Sequence, residues 1–217
     1  MGPWIHEAKT KMVSLIDTVH AKNPNARVRV GFVGYRDYDD AEQYIVIPFM
    51  NAQDTMQGIK GVTAVGGDDI AEDVANGLHR ALHMDWSDSE VKIVFHIADA
   101  PAHGMDFHGA VVSDRFPRGD PDGLDPRDIV ERMSFLDIHY TFVKIHESTD
   151  TMIEQFHNCY GNGGTFTVID LLAQGAVMST RPPTLGTGDP TTMSDELSRA
   201  VTRSIASYTA SQETRYY

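Results

Sequence analysis

The sequence predicts an α/β fold: a three-layer sandwich built on a doubly wound, mostly parallel β-sheet. Two observations carry this. Segments of strand character alternate along the chain with segments of helical periodicity, the order that places helices on both faces of a sheet. Residues 91–98, Val-Lys-Ile-Val-Phe-His-Ile-Ala, are almost continuously apolar, as expected of a parallel strand covered on both faces. The chain has 217 residues, 41% of them apolar. A domain of this size buries roughly 70% of the surface its unfolded form exposes, so its core needs no covalent staples.

The order of elements begins with a helix, because Ile5, Ala8, Met12, Leu15, Ile16 and Val19 recur at helical spacing. Pro24 ends it. Residues 28–33 read as a strand, 34–40 as a polar loop and 44–49 as a second strand. Pro48 marks that strand as an edge, since proline cannot donate to a ladder. Residues 54–61 form a short helix with Asp54 as its cap. The turn Gly66-Gly67-Asp68-Asp69 leads into a helix over 70–83, with Ile70, Val74, Leu78 and Leu82 on its apolar face. After the strand at 91–98 comes a long irregular stretch, 104–125, rich in aspartate and glycine. Pro126 then opens a helix to Leu136, with Asp125 as its cap and proline where a missing N–H costs nothing. Residues 138–145 form a strand, Ser148 or Thr149 caps a helix running to Cys159, and Gly161 stops it. Residues 165–169 form the last strand. The composition of 179–190 is that of a linker, and Leu197, Val201 and Ile205 space a final amphipathic helix over 194–210. The chain therefore divides into a domain over residues 1–178 and a linker with a C-terminal helix or tail over 179–217.

Charge narrows the partners. The formal net charge is −13, and 22 of the 31 acids are aspartate. Such a surface argues against nucleic acid or an anionic membrane. Aspartate favours turns, caps and the shells of hard cations. No run of apolar residues is long enough for a transmembrane helix, and no secretory signal opens the chain. A single cysteine, Cys159, excludes an internal disulfide and fits a reducing, cytoplasmic setting.

Three segments, taken in order, carry a resemblance: Phe32-Val-Gly-Tyr-Arg-Asp-Tyr38, Gly66-Gly-Asp-Asp-Ile-Ala-Glu-Asp-Val74 and Phe95-His-Ile-Ala-Asp-Ala-Pro-Ala-His-Gly104. Asp120-Pro-Asp-Gly-Leu124 and Ser148-Thr-Asp-Thr-Met152 add to it. Together they resemble a von Willebrand factor A (vWA) domain, in the version found in the atypical alpha-kinases. The resemblance implies a Rossmann-like sandwich and a metal-ion-dependent adhesion site (MIDAS) for Mg²⁺ or Mn²⁺. The family's first motif, Asp-x-Ser/Thr-x-Ser, has no counterpart, since the likeness starts at Met1-Gly-Pro-Trp-Ile5. The expectation is thus an N-terminally truncated domain whose first central strand is missing. Two other ligand positions carry over. Asp69 falls on the second motif and Asp99 on the third, at the end of the most buried strand, while Asp68 would substitute after a small turn shift. So few protein ligands leave most of the coordination sphere to water and imply weak affinity. In the family a partner protein's carboxylate completes the shell. His103 matches the third motif and is placed behind the metal, whereas Arg36 and Asp37 are placed on the rim that meets the partner.

The other candidates are weaker. His79 and His83 have a metal-gripping i, i+4 spacing but no intervening catalytic glutamate. His96, inside a strand, reads as a hydrogen-bonded core histidine. Cys159 has no base positioned to activate it. Arg118-Gly-Asp120 is a chance tripeptide, and residues 120–125 read as a turn.

The reading that results is a non-catalytic protein-interaction module with an incomplete adhesion site, in a regulatory or targeting role. No phosphate-cradling loop with a lysine is present, so no kinase activity is expected of it. Two alternatives stand beside it. One is a metal-free scaffold that self-associates through exposed sheet edges or borrows a strand. The other is an Mg²⁺-dependent hydrolase using Asp69, Asp99 and His103.

Overall fold

The computed structural model describes residues 27–63, 65–66, 69–87, 91–161 and 163–170, with residues 21, 25 and 199. The helix expected over residues 5–19 and the linker at 179–190 lie outside the described residues, as does the helix at 194–210 except for Arg199. The elements are β1 (Val30–Tyr35), β2 (Tyr44–Met50), α1 (Ala52–Ile59), α2 (Val74–Leu82), β3 (Lys92–Ala98), α3 (Pro126–Phe135), β4 (Ile138–Lys144), α4 (Asp150–Cys159) and β5 (Phe166–Asp170). None of the helices among the described residues is long and apolar enough to cross a membrane.

The fold is α/β, as expected. β3, β4 and β5 form a parallel sheet in that order, with α3 and α4 as the crossovers between successive strands. β4 is buried along its length up to Val143, which makes it the strand covered on both faces. β1 and β2 form a separate antiparallel hairpin. Helices cover both faces of that hairpin. Ile47 pairs with Phe32 and meets α1 at Gly58, where a Cβ would strike the Ile47 side chain. Tyr35 lies three residues beyond Phe32, hence on the opposite face, and packs on Gly77 of α2, where a Cβ would strike its ring. Pro48 lies exposed on β2, which pairs only with β1 among the described residues. The edge assignment holds.

Helix starts follow the local competition for backbone hydrogen bonds. Asp125 caps α3 as expected, accepting from the Arg127 N–H at 2.9 Å. Asn51, not Asp54, caps α1, accepting from the Asp54 N–H at 3.0 Å. α2 begins at Val74 rather than at residue 70, with Asp73 as its cap. Residues 70–72 are held out of the helix by distant backbone partners, Glu72 bridging in parallel to Ala102. Ile70 and Ala71 both donate to Ser113 O (3.1 and 3.2 Å), and Glu72 donates to Pro101 O (2.9 Å). Thr149 precedes α4 without a side-chain cap. A single 3₁₀ turn, Glu147–Thr149, does the work, and His146 accepts from the Ser148 N–H.

The core lies under α2, α3 and α4, with Val130, Met133, Tyr140, Phe142, Met152 and Phe156 wholly buried. His96 is the polar residue inside it. Its Nε2 is 2.7 Å from the Tyr35 hydroxyl and its Nδ1 is 2.6 Å from the Tyr140 hydroxyl. The core-histidine reading is therefore correct. The chain Tyr35–His96–Tyr140 ties the hairpin to the parallel sheet. Burial pushes the His96 pKa down to about 3, so the ring is neutral. One tyrosine donates to its bare nitrogen, and its own N–H donates to the other.

A histidine whose pKa is lower in the folded than in the unfolded chain contributes stability that is complete above about pH 6.5 and is lost as pH falls toward 3. The expected loss from this ring is about 2 kcal/mol between pH 7.5 and pH 5. Urea unfolding at the two pH values, compared with His96→Gln, measures it. Equal losses in parent and variant would mean that the ring is not held neutral.

Candidate metal centre

The loops that follow β1 and β3 meet on one side of the molecule. Beyond β1, Asp37 is buried, with 5% of its surface exposed. Its Oδ1 accepts from the Tyr38 N–H and stands 2.7 Å from His103 Nε2. On the other side of the ring, His103 Nδ1 is 2.7 Å from Asp114 Oδ1. Both partners are carboxylates, which only accept, so both ring nitrogens carry protons and donate. Burial opposes a charge on this ring. The hydrogen bonds and charges of Asp114 and Asp37 outweigh it and hold the His103 pKa above the ordinary histidine value.

Asp114 is fully engaged. Its Oδ1 also accepts from the Phe116 N–H, and its Oδ2 accepts from the Gly104 N–H and lies 2.9 Å from His108 Nε2. Burial alone would raise its pKa, but these donors pull it below the usual carboxylate range. The sequence did not single out Asp114, whose signal was only the density of aspartate in residues 104–125.

Asp69 stands at the turn before α2, and its Oδ2 accepts from the Arg115 N–H at 2.6 Å. Burial raises its pKa, the Arg115 N–H lowers it, and the adjoining Asp37 carboxylate raises it further. Glu72 is held in place by its backbone, which bridges in parallel to Ala102. Its pKa is pushed up to about 8, first by burial and then by the charges of Asp37, Asp40 and Asp99. Gly66 takes a left-handed φ of 109°, and a Cβ there would collide with the Asp40 carboxylate. Glycine is what lets that acid approach the turn.

The residues read from the sequence fare differently. Asp37, Asp69 and His103 come together. Asp99 follows β3, acts electrostatically on Glu72 and Tyr35, and its carbonyl accepts from Ser148 Oγ at 3.0 Å. Asp68 lies outside the described residues. Arg36 turns to Glu42 (Nη1 to Oε2, 3.2 Å) and to Thr63 O. Among the described residues, Asp69, His103 and Asp114 each offer a ligand atom within 4.8 Å of the others, a group that could hold a metal ion. His103 could join a metal only by releasing one of its two carboxylates.

Three other candidates resolve as the bland readings. The rings of His79 and His83 lie 4.2 Å apart, and His83 Nδ1 is 2.8 Å from the His79 carbonyl, to which it donates. Burial pushes the Cys159 thiol up to about 11, so it is a poor nucleophile. Asp120 Oδ1 accepts from the N–H groups of Asp122 and Leu124, which makes residues 120–124 an Asx turn.

No protein-family model matches the chain. Over 160 residues it is 32% identical to the alpha-protein kinase vwkA of Dictyostelium discoideum, a match that covers 72% of this chain and 25% of that protein. The chain thus spans about a quarter of the length of the curated relative it matches.

The clamp on His103 generates a stability prediction. Asp114→Asn removes a buried charge from between two histidines and leaves their donors facing an amide. The expected cost is about 3 kcal/mol, the magnitude typical of breaking one side of a buried ion pair. Urea unfolding at pH 7 measures it, and a cost under about 1 kcal/mol would place the network outside the folding core.

Proposed function

We propose that this chain is a non-catalytic protein-interaction module of the vWA type. It uses a hard divalent cation, Mg²⁺ or Mn²⁺, to meet an acidic side chain of a partner protein in the cytoplasm. The observation that carries the reading is an acidic centre in which Asp69, His103 and Asp114 offer ligand atoms within 4.8 Å of one another. Asp37 shares the His103 ring with Asp114 in the crevice after β1 and β3, where α/β sheets place their ligands. Ile70, the residue after Asp69, is exposed. Apolar contacts around a charged anchor suit a protein surface.

The donor set fits the ion. It is rich in carboxylate oxygen, the preference of Mg²⁺ and Mn²⁺. A bound cation would supply the charge that these acids lack and a coordination position for the partner's carboxylate. Asp69 and Asp99 are the family-type ligands on this reading, with Asp68 beside them. His103 positions Asp37 by holding its Oδ1, and Arg36 belongs to the rim. The similarity to an alpha-protein kinase agrees with the sequence motifs and favours a regulatory or targeting role.

Thermal unfolding with Mg²⁺, with Mn²⁺ and with chelator tests the reading, beside Asp99→Ala. An ion at a hundredfold its dissociation constant adds about 2.7 kcal/mol, which raises Tm by several degrees. A glutamate-rich peptide should add to the shift only when metal is present. A melt indifferent to metal would sink the proposal.

A second reading rests on the split sheet. Among the described residues β1 pairs only with β2, and β3 only with β4, so each offers a backbone edge to another strand. Self-association through those edges predicts a concentration-dependent dimer in light scattering. A monomer over a hundredfold dilution range would exclude it.

A further inference from the structure

The long stretch after β3 folds around a cavity of about 390 Å³, a size within the range of small-ligand pockets. Three aspartates line it, and each is already engaged within the protein. Asp125 receives Arg127 on both oxygens, from Nε and Nη2, and Asp106 Oδ2 meets Nη1 of the same guanidinium at 3.3 Å. Asp120 Oδ1 accepts from the Asp122 and Leu124 N–H groups, and its Oδ2 accepts from the Tyr38 hydroxyl. Arg127 also lies over the Phe107 ring, 5.2 Å from its centre. The cavity's other arginine differs. Arg118 is exposed, and among the described residues its guanidinium has no hydrogen bond, ion pair or ring contact, although three aspartates border the same space. Apolar side chains complete the walls, among them Leu124 and Met105, which is 56% exposed.

We infer that this cavity binds a single carboxylate carried on an apolar body, with Arg118 as the group that holds it. The planar guanidinium matches a carboxylate with two parallel hydrogen bonds. The apolar walls accept the rest of the ligand. The acids limit its charge. Arg127 offsets only part of Asp106, Asp120 and Asp125, so a second negative charge on the ligand would face like charges. That favours a monoanion over a phosphate dianion. The C-terminal residue of a peptide and a free organic acid share this chemistry. The site is separate from the cation-dependent reading, since Asp69, His103 and Asp114 do not line the cavity and no metal takes part. It also parts the two ends of the Arg118-Gly-Asp120 tripeptide. Asp120 fixes the loop, whereas Arg118 faces a partner from outside the chain.

The test is NMR titration of the ¹⁵N-labelled full chain without added divalent metal. The probes are N-acetylphenylalanine, its uncharged amide, inorganic phosphate and the tripeptide acetyl-Ala-Ala-Phe with a free C-terminus. The amide signals of Gly104, Gly119 and Gly123, which line the cavity, are the readout. The expected result is a saturable shift with N-acetylphenylalanine, and binding at least tenfold weaker for the amide and for phosphate. Arg118→Gln should raise the Kd tenfold or more. This variant removes no contact among the described residues, so a loss reports the ligand's anchor rather than the fold. Arg132→Gln, on the exposed side of α3 and outside the cavity, should bind like the parent. Tighter binding of the tripeptide than of the amino acid would support a peptide C-terminus as the occupant, and weaker binding a free organic acid. Equal binding of acid and amide, phosphate binding as tight as the acid, parent-like binding by Arg118→Gln, or no shift up to about 10 mM probe would each overturn the inference.

Discussion

Everything around the candidate centre depends on His103 being clamped between two buried carboxylates. The ring joins Asp37, in the loop after β1, to Asp114, in the long loop after β3, over 2.7 Å on each side. The residues are far apart in sequence, and the hairpin and parallel sheet share no backbone ladder among the described residues. Side chains therefore carry the connection, through this clamp and through Tyr35–His96–Tyr140 in the core. The two links are chemically opposite. His96 is held neutral by burial, and its tyrosine partners bring no charge. His103 is held charged by its carboxylates. A buried charged pair is weak evidence for net stability, but its directional bonds specify one arrangement of the loops.

That arrangement concentrates acid faster than it concentrates base. The clamp offsets one carboxylate's worth of charge with one imidazolium, and Asp114 is further satisfied by two backbone N–H groups. Asp69 receives one donor from Arg115. Glu72 receives none at Oε2, and its pKa rises to about 8 as a result of burial and its acidic neighbours. The excess of aspartate visible in the composition is thus not spread only over the surface. Part of it is gathered in the loops after β1 and β3, around His103.

Much of the fold was legible in the sequence because the relevant physics is local. The apolar run ending at Ala98 became β3, and Asp125-Pro126 opened α3 as cap and first residue. The start of α2 was not legible, because residues 70–72 give their N–H groups to Ser113 and Pro101, partners that no window around residue 70 contains. The site divides in the same way. Asp69, His103 and Asp37 were readable from motifs. Asp114 and Glu72 were not, since an aspartate in an irregular stretch has no periodicity, and Glu72 becomes distinctive only once the fold buries it. The split between hairpin and parallel sheet likewise follows from pairing between distant segments.

The same geometry weighs against hydrolysis as the module's work. A metal-assisted hydrolase needs a base able to accept a proton near the metal, and His103 was the candidate. In the fold both of its nitrogens donate to carboxylates, and it holds its proton more tightly than an ordinary histidine. Freeing a nitrogen would break a buried ion pair, at about 3–5 kcal/mol. His108 lies between Asp114 Oδ2 and the Gly109 carbonyl, so its nitrogens are also engaged. Groups fixed this firmly are suited to holding loops and orienting carboxylates. A binding site uses such rigidity directly, because a preorganised set of oxygens loses less entropy when an ion and a partner's side chain arrive.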